Sequence, residues 1–284
     1  MLPESFVYNE PEYLFHYTSA TGLLGILKCG KIRVTKIHYL NDKSELQLAF
    51  DYIRDEIDQQ KRGIGKTRSD EDLDKMAASL DFNASTNLCV ASFTAVDDQL
   101  SQWRGYCEIG KGYSLGFNFD KLRKLVASQP GWELVPCIYS ERQHKQIAKY
   151  LVDNYPTKEM LKSSQDRLQV QPNSLPAFID SFSSKAMSLA PRIKSEAFQE
   201  EEEWRLITPI LDYANAMFRE GNHSLIPYWE FDLDLPNTLD SITIGPTPEP
   251  ELAFTAIIGL LINTFGYKIS HLNIRQSTIP YRKI

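Results

Sequence analysis

A chain of 284 residues, 42% hydrophobic and 24% charged, has the composition of a folded globular protein and enough length to bury a sizeable core. Its formal charge of −6 argues against general attraction to nucleic acid, while leaving a local basic groove open. Glu4 and Glu10 stand where a signal peptide needs a cationic and apolar opening, the longest apolar run (256–262) is too short for a membrane span, and the four scattered cysteines form no CxxC pair. The expectation is a reduced cytoplasmic protein with no metal site and no membrane partner.

Leu14-Phe15-His16-Tyr17-Thr18-Ser19 reads as a strand ending in polar residues, and the helix that starts at Ala20 has Thr18 or Ser19 as its cap. A helix N-terminus favours anions, and His16 with the adjacent hydroxyls can hydrogen-bond a nucleotide. The same residues also suit a plain cap and a satisfied interior imidazole. Gly30 is a left-handed stop, Ile32–Thr35 a second strand, and Asp42 with Glu45 a capping box. Leu46, Ala49, Phe50, Ile53 and Ile57 then recur at helical spacing. After a polar loop, Ser69 caps a helix over Asp70–Leu80.

Leu88–Phe93 has the character of a buried strand. The turn Gly110-Lys111-Gly112 enters a strand whose alternation places Tyr113, Leu115, Phe117 and Phe119 on one buried face. Asp120 caps the next helix, Trp132–Tyr139 reads as a strand and Glu141–Asn154 as a helix. The polar composition around 155–176 marks a surface insertion within a single domain spanning 1–284. Leu175–Ala190 is helical by its spacing, Glu203–Ile207 is a strand, and Ser241–Pro246 leads into a helix with Thr247 as cap, Pro248 at its first position and Gly266 as its stop.

Two further clusters carry candidate chemistry. Trp103 and Tyr106 could stack on a flat heterocycle and Arg104 could pair a phosphate bidentately, or the two aromatics are core residues three apart on a helical turn. The acidic run before Trp204 places Glu201, Glu203 and Arg205 on one side of a strand, where a carboxylate could steady a developing positive charge or form a plain cross-strand ion pair. A cleft-edge Glu203 contributes little stability, so its replacement by Gln should leave the fold nearly intact. The glycines at 110, 112 and 116 do not fit a dinucleotide fingerprint, there is no P-loop, HExxH or GxSxG, and the five histidines are dispersed.

In order, Phe15-His16-Tyr17-Thr18, Leu40–Glu45, Val90-Ala91-Ser92-Phe93, Gln102–Tyr106, Gly112–Phe117, Glu201–Arg205 and the tail from Ile244 to Arg282 resemble a widespread bacterial family of long-unassigned function. The opening block is also similar to the first motif of ADP-ribosyltransferases, especially toxins that modify DNA bases. That resemblance implies an α+β fold, with mixed and antiparallel central sheets, peripheral helices and an ADP-ribosyltransferase-like core. It implies NAD as substrate, bound by His16, Tyr17, Thr18, Ser92, Trp103, Arg104 and Tyr106, with Glu203 as the catalytic carboxylate and no metal. The chain departs from the family in having no STS-like triplet in its middle motif.

The activity implied is transfer of ADP-ribose to a macromolecular acceptor, protein or nucleic acid, or hydrolysis of NAD. It suits a bacterial toxin or antiviral defence effector with a regulatory or neutralising protein partner. Cleaving the nicotinamide–ribose bond builds an oxocarbenium-like centre, which one Glu can stabilise without metal or nucleophilic cysteine. The competing readings are a non-catalytic nucleotide- or protein-binding module, and a hydrolase of nuclease type.

Overall fold

The computed structural model describes residues 8–39, 44–80, 87–107, 110–155, 182–221, 224–266 and 272–280. The expected capping box at 42–45 and the insertion around 155–176 lie largely outside these residues, as does the start of the helix expected from Leu175.

Ten strands form one mixed sheet: β1 (Tyr13–Ser19), β2 (Lys31–Lys36), β3 (Cys89–Thr94), β4 (Gly112–Asn118), β5 (Glu133–Pro136), β6 (Glu203–Ile207), β7 (Met217–Glu220), β8 (Leu225–Asp232), β9 (Leu239–Ile244) and β10 (Asn273–Gln276). Around it lie helices α1 (Ala20–Cys29), α2 (Ser44–Lys61), α3 (Asp70–Ser79), α4 (Leu100–Tyr106), α5 (Phe119–Ala127), α6 (Glu141–Asn154), α7 (Phe182–Leu189), α8 (Leu235–Thr238) and α9 (Pro250–Phe265). Among the described residues these strands pair antiparallel except β9 with β10, which is parallel. The fold is therefore α+β, with helices packed on both faces of the sheet. Among the described residues no helix is long and apolar enough to cross a membrane.

The sheet forks at β3. One edge of β3 is paired along its length with β6. The opposite edge meets β1 only at Phe15↔Thr94 and β2 only at Thr35↔Val90 and Lys36↔Cys89. Ala91, Ser92 and Phe93 thus have no strand partner on that side. From the fork, β1 continues into β4, β9 and β10, and β2 continues into β8 and β7. The connection between the two limbs is α1, whose start is fixed by Ser19: its hydroxyl accepts from the Gly22 N–H at 3.2 Å. Gly30 ends the helix with φ 71°, a left-handed backbone that favours glycine.

Alternation along the strands sorts the two faces. Ile32, Val34, Cys89, Ala91, Phe93, Trp204, Leu206, Trp229 and Phe231 bury into one core with α1, α5 and α9. The other face carries a second core built from α2, α3, α6 and α7, including Ile53, Ile57, Ile147 and Met187. Arg33, Thr35, Ser92, Thr94, Glu203 and Arg205 belong to this second face by parity. They stand outside that apolar core and line a polar cleft, with Arg33 exposed at its rim and Thr94, Glu203 and Arg205 buried in its floor.

Several expected boundaries shift. Asn118, not Asp120, caps α5, because its side chain reaches the Lys121 N–H at 3.1 Å. The strand expected over Trp132–Tyr139 is confined to Glu133–Pro136 by the length of its partner β6. The last long helix begins at Pro250 after Glu249, two residues beyond the expected start, while Gly266 does end it. Strand β4 is buried on both faces, since helices cover each side of the sheet there: Ser114 is as buried as Leu115.

Candidate active site

A cleft of about 440 Å³ opens at the fork. Four separate segments supply its walls: β1 gives His16 and Tyr17, β3 gives Ser92, α4 gives Gln102 and Tyr106, and the stretch 194–205 gives Lys194, Glu201, Glu203 and Arg205. The β2/β7 limb adds Arg33, Thr35 and Arg219.

His16 occupies the gap where a ladder bond between β1 and β3 is missing. Its Nδ1 lies 2.9 Å from the Ser92 carbonyl, and since a carbonyl only accepts, Nδ1 carries the proton. Nε2 is left as a lone-pair acceptor. Burial lowers the His16 pKa, against the opposing pull of the Ser92 carbonyl, so the ring is neutral at pH 7. A neutral imidazole with a fixed tautomer suits a ligand hydroxyl better than an anion.

The floor is an ionic cluster. Glu203 is 3% exposed and accepts from Arg205 twice, Nε to Oε1 at 2.9 Å and Nη2 to Oε2 at 2.9 Å. Both residues stand on β6 two apart, so this is a pair along one strand and not between strands. The Lys194 ammonium bridges Oε2 of Glu203 at 2.5 Å and Oε2 of Glu201 at 2.6 Å. It also lies 5.2 Å from the centre of the Phe198 ring. Arg205 donates from Nη1 to the Pro191 carbonyl at 3.0 Å. Burial pushes the Glu203 carboxyl up, but the Arg205 guanidinium and the Lys194 ammonium outweigh it and hold the pKa at about 2. Two cations and two carboxylates cancel, leaving a floor that is ionised yet locally neutral.

Glu201 belongs to a 3₁₀ turn (Glu196–Glu201) ahead of β6, and Glu202 between them takes a left-handed φ of 39°. This kink takes Glu201 out of the strand and turns its side chain toward the cleft, where 17% of it is exposed against 3% for Glu203. The Tyr106 hydroxyl stands 3.5 Å from Glu201 Oε2. Burial and the nearby Glu203 and Glu201 charges raise the Tyr106 pKa, keeping the phenol protonated as a donor. Behind the cluster, the Tyr139 hydroxyl accepts from the Glu203 N–H at 2.8 Å.

The structure brings His16, Tyr17, Ser92, Tyr106 and Glu203 to one cleft and leaves three expected site residues off its walls. Thr18 is buried on β1. Trp103 packs edge-on against Tyr17 at 4.6 Å and donates its indole N–H to Asp98 at 2.9 Å, so it is a core aromatic. Arg104 points to the exposed side of α4, one residue out of phase with the cleft-facing turn. Lys194 is the principal residue that sequence reasoning missed. A lone lysine after Pro191-Arg192-Ile193 carries no motif, and only the fold makes it the bridge of two carboxylates. No group of three or more His, Cys, Asp and Glu residues able to hold a metal occurs among the described residues.

Residues 102–206 match the model of a family described as a protein of unknown function, DUF2971. The matched stretch runs from α4 through nearly all of β6, and so takes in Tyr106, Lys194, Glu201, Glu203 and Arg205 but not His16 or Ser92. No curated protein and no solved structure matches the chain.

Proposed function

We propose that the chain is an NAD-consuming enzyme of ADP-ribosyltransferase type, acting from the cleft at the fork of the sheet. The observation that carries this reading is the convergence of His16, Ser92, Tyr106 and Glu203, from segments far apart in sequence, on one cleft. A purely structural role for each would not require them to meet.

In this reading the neutral His16 accepts a ribose hydroxyl at Nε2, and Tyr106, 40% exposed, offers its ring to a heterocycle. The C1′–N bond breaks with its electron pair leaving on nicotinamide, and positive charge develops on the ribosyl carbon. The Glu201–Lys194–Glu203 cluster supplies anionic oxygen to that charge, and the acceptor's nucleophilic atom then bonds to C1′ and gives up a proton to a carboxylate or water. The acceptor is a macromolecule or, for hydrolysis, water. Such an activity suits a toxin or antiviral effector with a neutralising protein partner.

A second reading is a nucleotide-binding module without turnover. What favours it is the saturation of Glu203, whose two oxygens already accept three hydrogen bonds. Incubating the purified protein with NAD labelled in the adenylate half, alone and with lysate, DNA or RNA, separates the two. Transfer predicts nicotinamide release with label on an acceptor, hydrolysis predicts release with free ADP-ribose, and the module predicts binding with neither.

A further inference from the structure

The cations of the cleft fall into two groups. Lys194 and Arg205 are matched by Glu201 and Glu203, so they have little charge to offer a ligand. Arg33 and Arg219 stand on the opposite wall, both exposed, and neither forms an ion pair or hydrogen bond among the described residues. The carboxylate best placed to neutralise Arg33 is Glu230, its register partner on β8, but Glu230 pairs with Lys31 at 3.5 Å.

The register also places the two arginines on one face. Arg33 is opposite Glu230, Thr35 is opposite Tyr228, Met217 is opposite Tyr228 and Arg219 is opposite Ile226. All of these project from the cleft side. Strands β2 and β7 are two strand spacings apart, roughly 10 Å, and Glu230 and Ile226 are four residues apart along β8, roughly 13 Å. The two arginine backbones therefore stand about 16 Å apart diagonally, a span that two extended arginine side chains and a diphosphate can bridge. Arg33 is already oriented: its guanidinium lies over the buried Tyr228 ring at 4.7 Å, a stacking that fixes its plane and leaves its N–H edge for a planar or tetrahedral oxyanion.

We infer that Arg33 and Arg219 form a phosphate-binding wall that takes the diphosphate of a nucleotide lying in the cleft. The inference rests on the reading of this cleft as a nucleotide site and assigns the part of the ligand that His16 and the carboxylate floor cannot hold. Two unmatched positive charges complement the two negative charges of a nucleotide diphosphate ester. The neutral floor and neutral imidazole leave the remainder of the ligand to hydroxyl and stacking contacts.

The test uses ADP, AMP, adenosine and inorganic pyrophosphate in calorimetric titrations of the full chain at low ionic strength. ADP is expected to bind most tightly, with adenosine weaker by about tenfold or more. Arg33→Gln and Arg219→Gln should each weaken ADP by about tenfold and leave adenosine unchanged, and added salt should weaken ADP more in the wild type than in the double variant. Both residues are exposed, so the variants should fold, which their melting curves verify. Pyrophosphate binding that also depends on both arginines supports the wall on its own.

Failure to bind ADP, or equal ADP affinity in the double variant, overturns the inference. The outcome separates it from the transferase reading. A protein that binds ADP through both arginines yet releases no nicotinamide from NAD keeps the wall and loses the transferase. One that cleaves NAD with unchanged KM after both substitutions loses the wall and keeps the transferase.

Discussion

Replacing Glu203 by Gln should destabilise the protein strongly, contrary to what a cleft-edge carboxylate would predict. The folded protein holds this carboxyl at about 2 against an ordinary value of 4.5. At about 1.4 kcal/mol for each tenfold change in proton affinity, ionised Glu203 contributes about 3 kcal/mol at neutral pH. Because the folded-state pKa lies below the unfolded one, this stability is fully present above about pH 5 and is lost as pH falls toward about 2; by pH 3 it is roughly halved. The same size follows independently from structure, since removing one partner of a buried ion pair leaves its counter-charges stranded and typically costs about 3–5 kcal/mol. Denaturant titrations of the wild type and Glu203→Gln at pH 7 and pH 3 measure both quantities. The expected result is a gap of about 3 kcal/mol at neutral pH that narrows with acid. Equal stability at pH 7, or a gap that does not change with pH, would refute the account of Glu203 as an ionised buried anchor.

Lys194→Met should also destabilise, by about 3 kcal/mol or more, because it leaves Glu201 and Glu203 with one cation between them; a melting temperature within a degree of wild type would count against the bridge. Asp98 accepts from Trp103 Nε1 at 2.9 Å, Ser277 Oγ at 2.5 Å and Thr278 N at 2.7 Å, so Asp98→Ala should free the segment around 277–278 and lower stability by about 2–3 kcal/mol, read as faster hydrogen exchange there and in α4. His16→Ala should abolish the nucleotide-induced rise in melting temperature while lowering the ligand-free value by only a few degrees, since it removes one bond to the Ser92 carbonyl; an undiminished ligand shift would move the hydroxyl contact elsewhere.

What the sequence revealed of this fold is what local patterning encodes. Ser69 and Gly30 are caps and stops that act within one turn of helix, and α6 runs from Glu141 to Asn154 as its periodicity predicts. Strand β6 also emerges at Glu203, because Trp204 and Leu206 need one face and their neighbours the other. The failures are of two kinds. Asp120 and Asn118 are both good caps, and only the backbone extended at Asn118 decides between them. Lys194, Arg33 and Arg219 carry no motif at all. Their place at the cleft comes from the fork at β3 and from register pairs that join residues up to two hundred positions apart. At Trp103 the sequence left two readings open, a stacking platform and a core aromatic, and the packing of its ring under Tyr17 with its N–H on Asp98 matches the second.

The two carboxylates of the floor differ in a way that bears on which one meets a substrate. Glu203 accepts from Arg205 on both oxygens and from Lys194 on one, and its 3% exposure leaves no free edge. Glu201 accepts from Lys194 and, at 3.5 Å, from Tyr106 on the same oxygen Oε2, so Oε1 has no hydrogen bond among the described residues. The left-handed Glu202 turns that group toward the cleft. If the cleft cleaves NAD, the two residues should therefore separate in their phenotypes. Glu201→Gln should cost about 1–2 kcal/mol of stability, less than Glu203→Gln, since Lys194 keeps Glu203 although the floor is left with one cation in excess. Nicotinamide release should fall about a hundredfold or more through loss of the anionic oxygen. Glu203→Gln should lose stability first, and activity through the collapse of the floor that holds Glu201. The decisive comparison is kcat per folded molecule for both variants at a temperature where each is fully folded. A Glu201→Gln protein that releases nicotinamide at the wild-type rate would return the electrostatic role to Glu203, and would require Lys194 or Arg205 to move away when substrate binds.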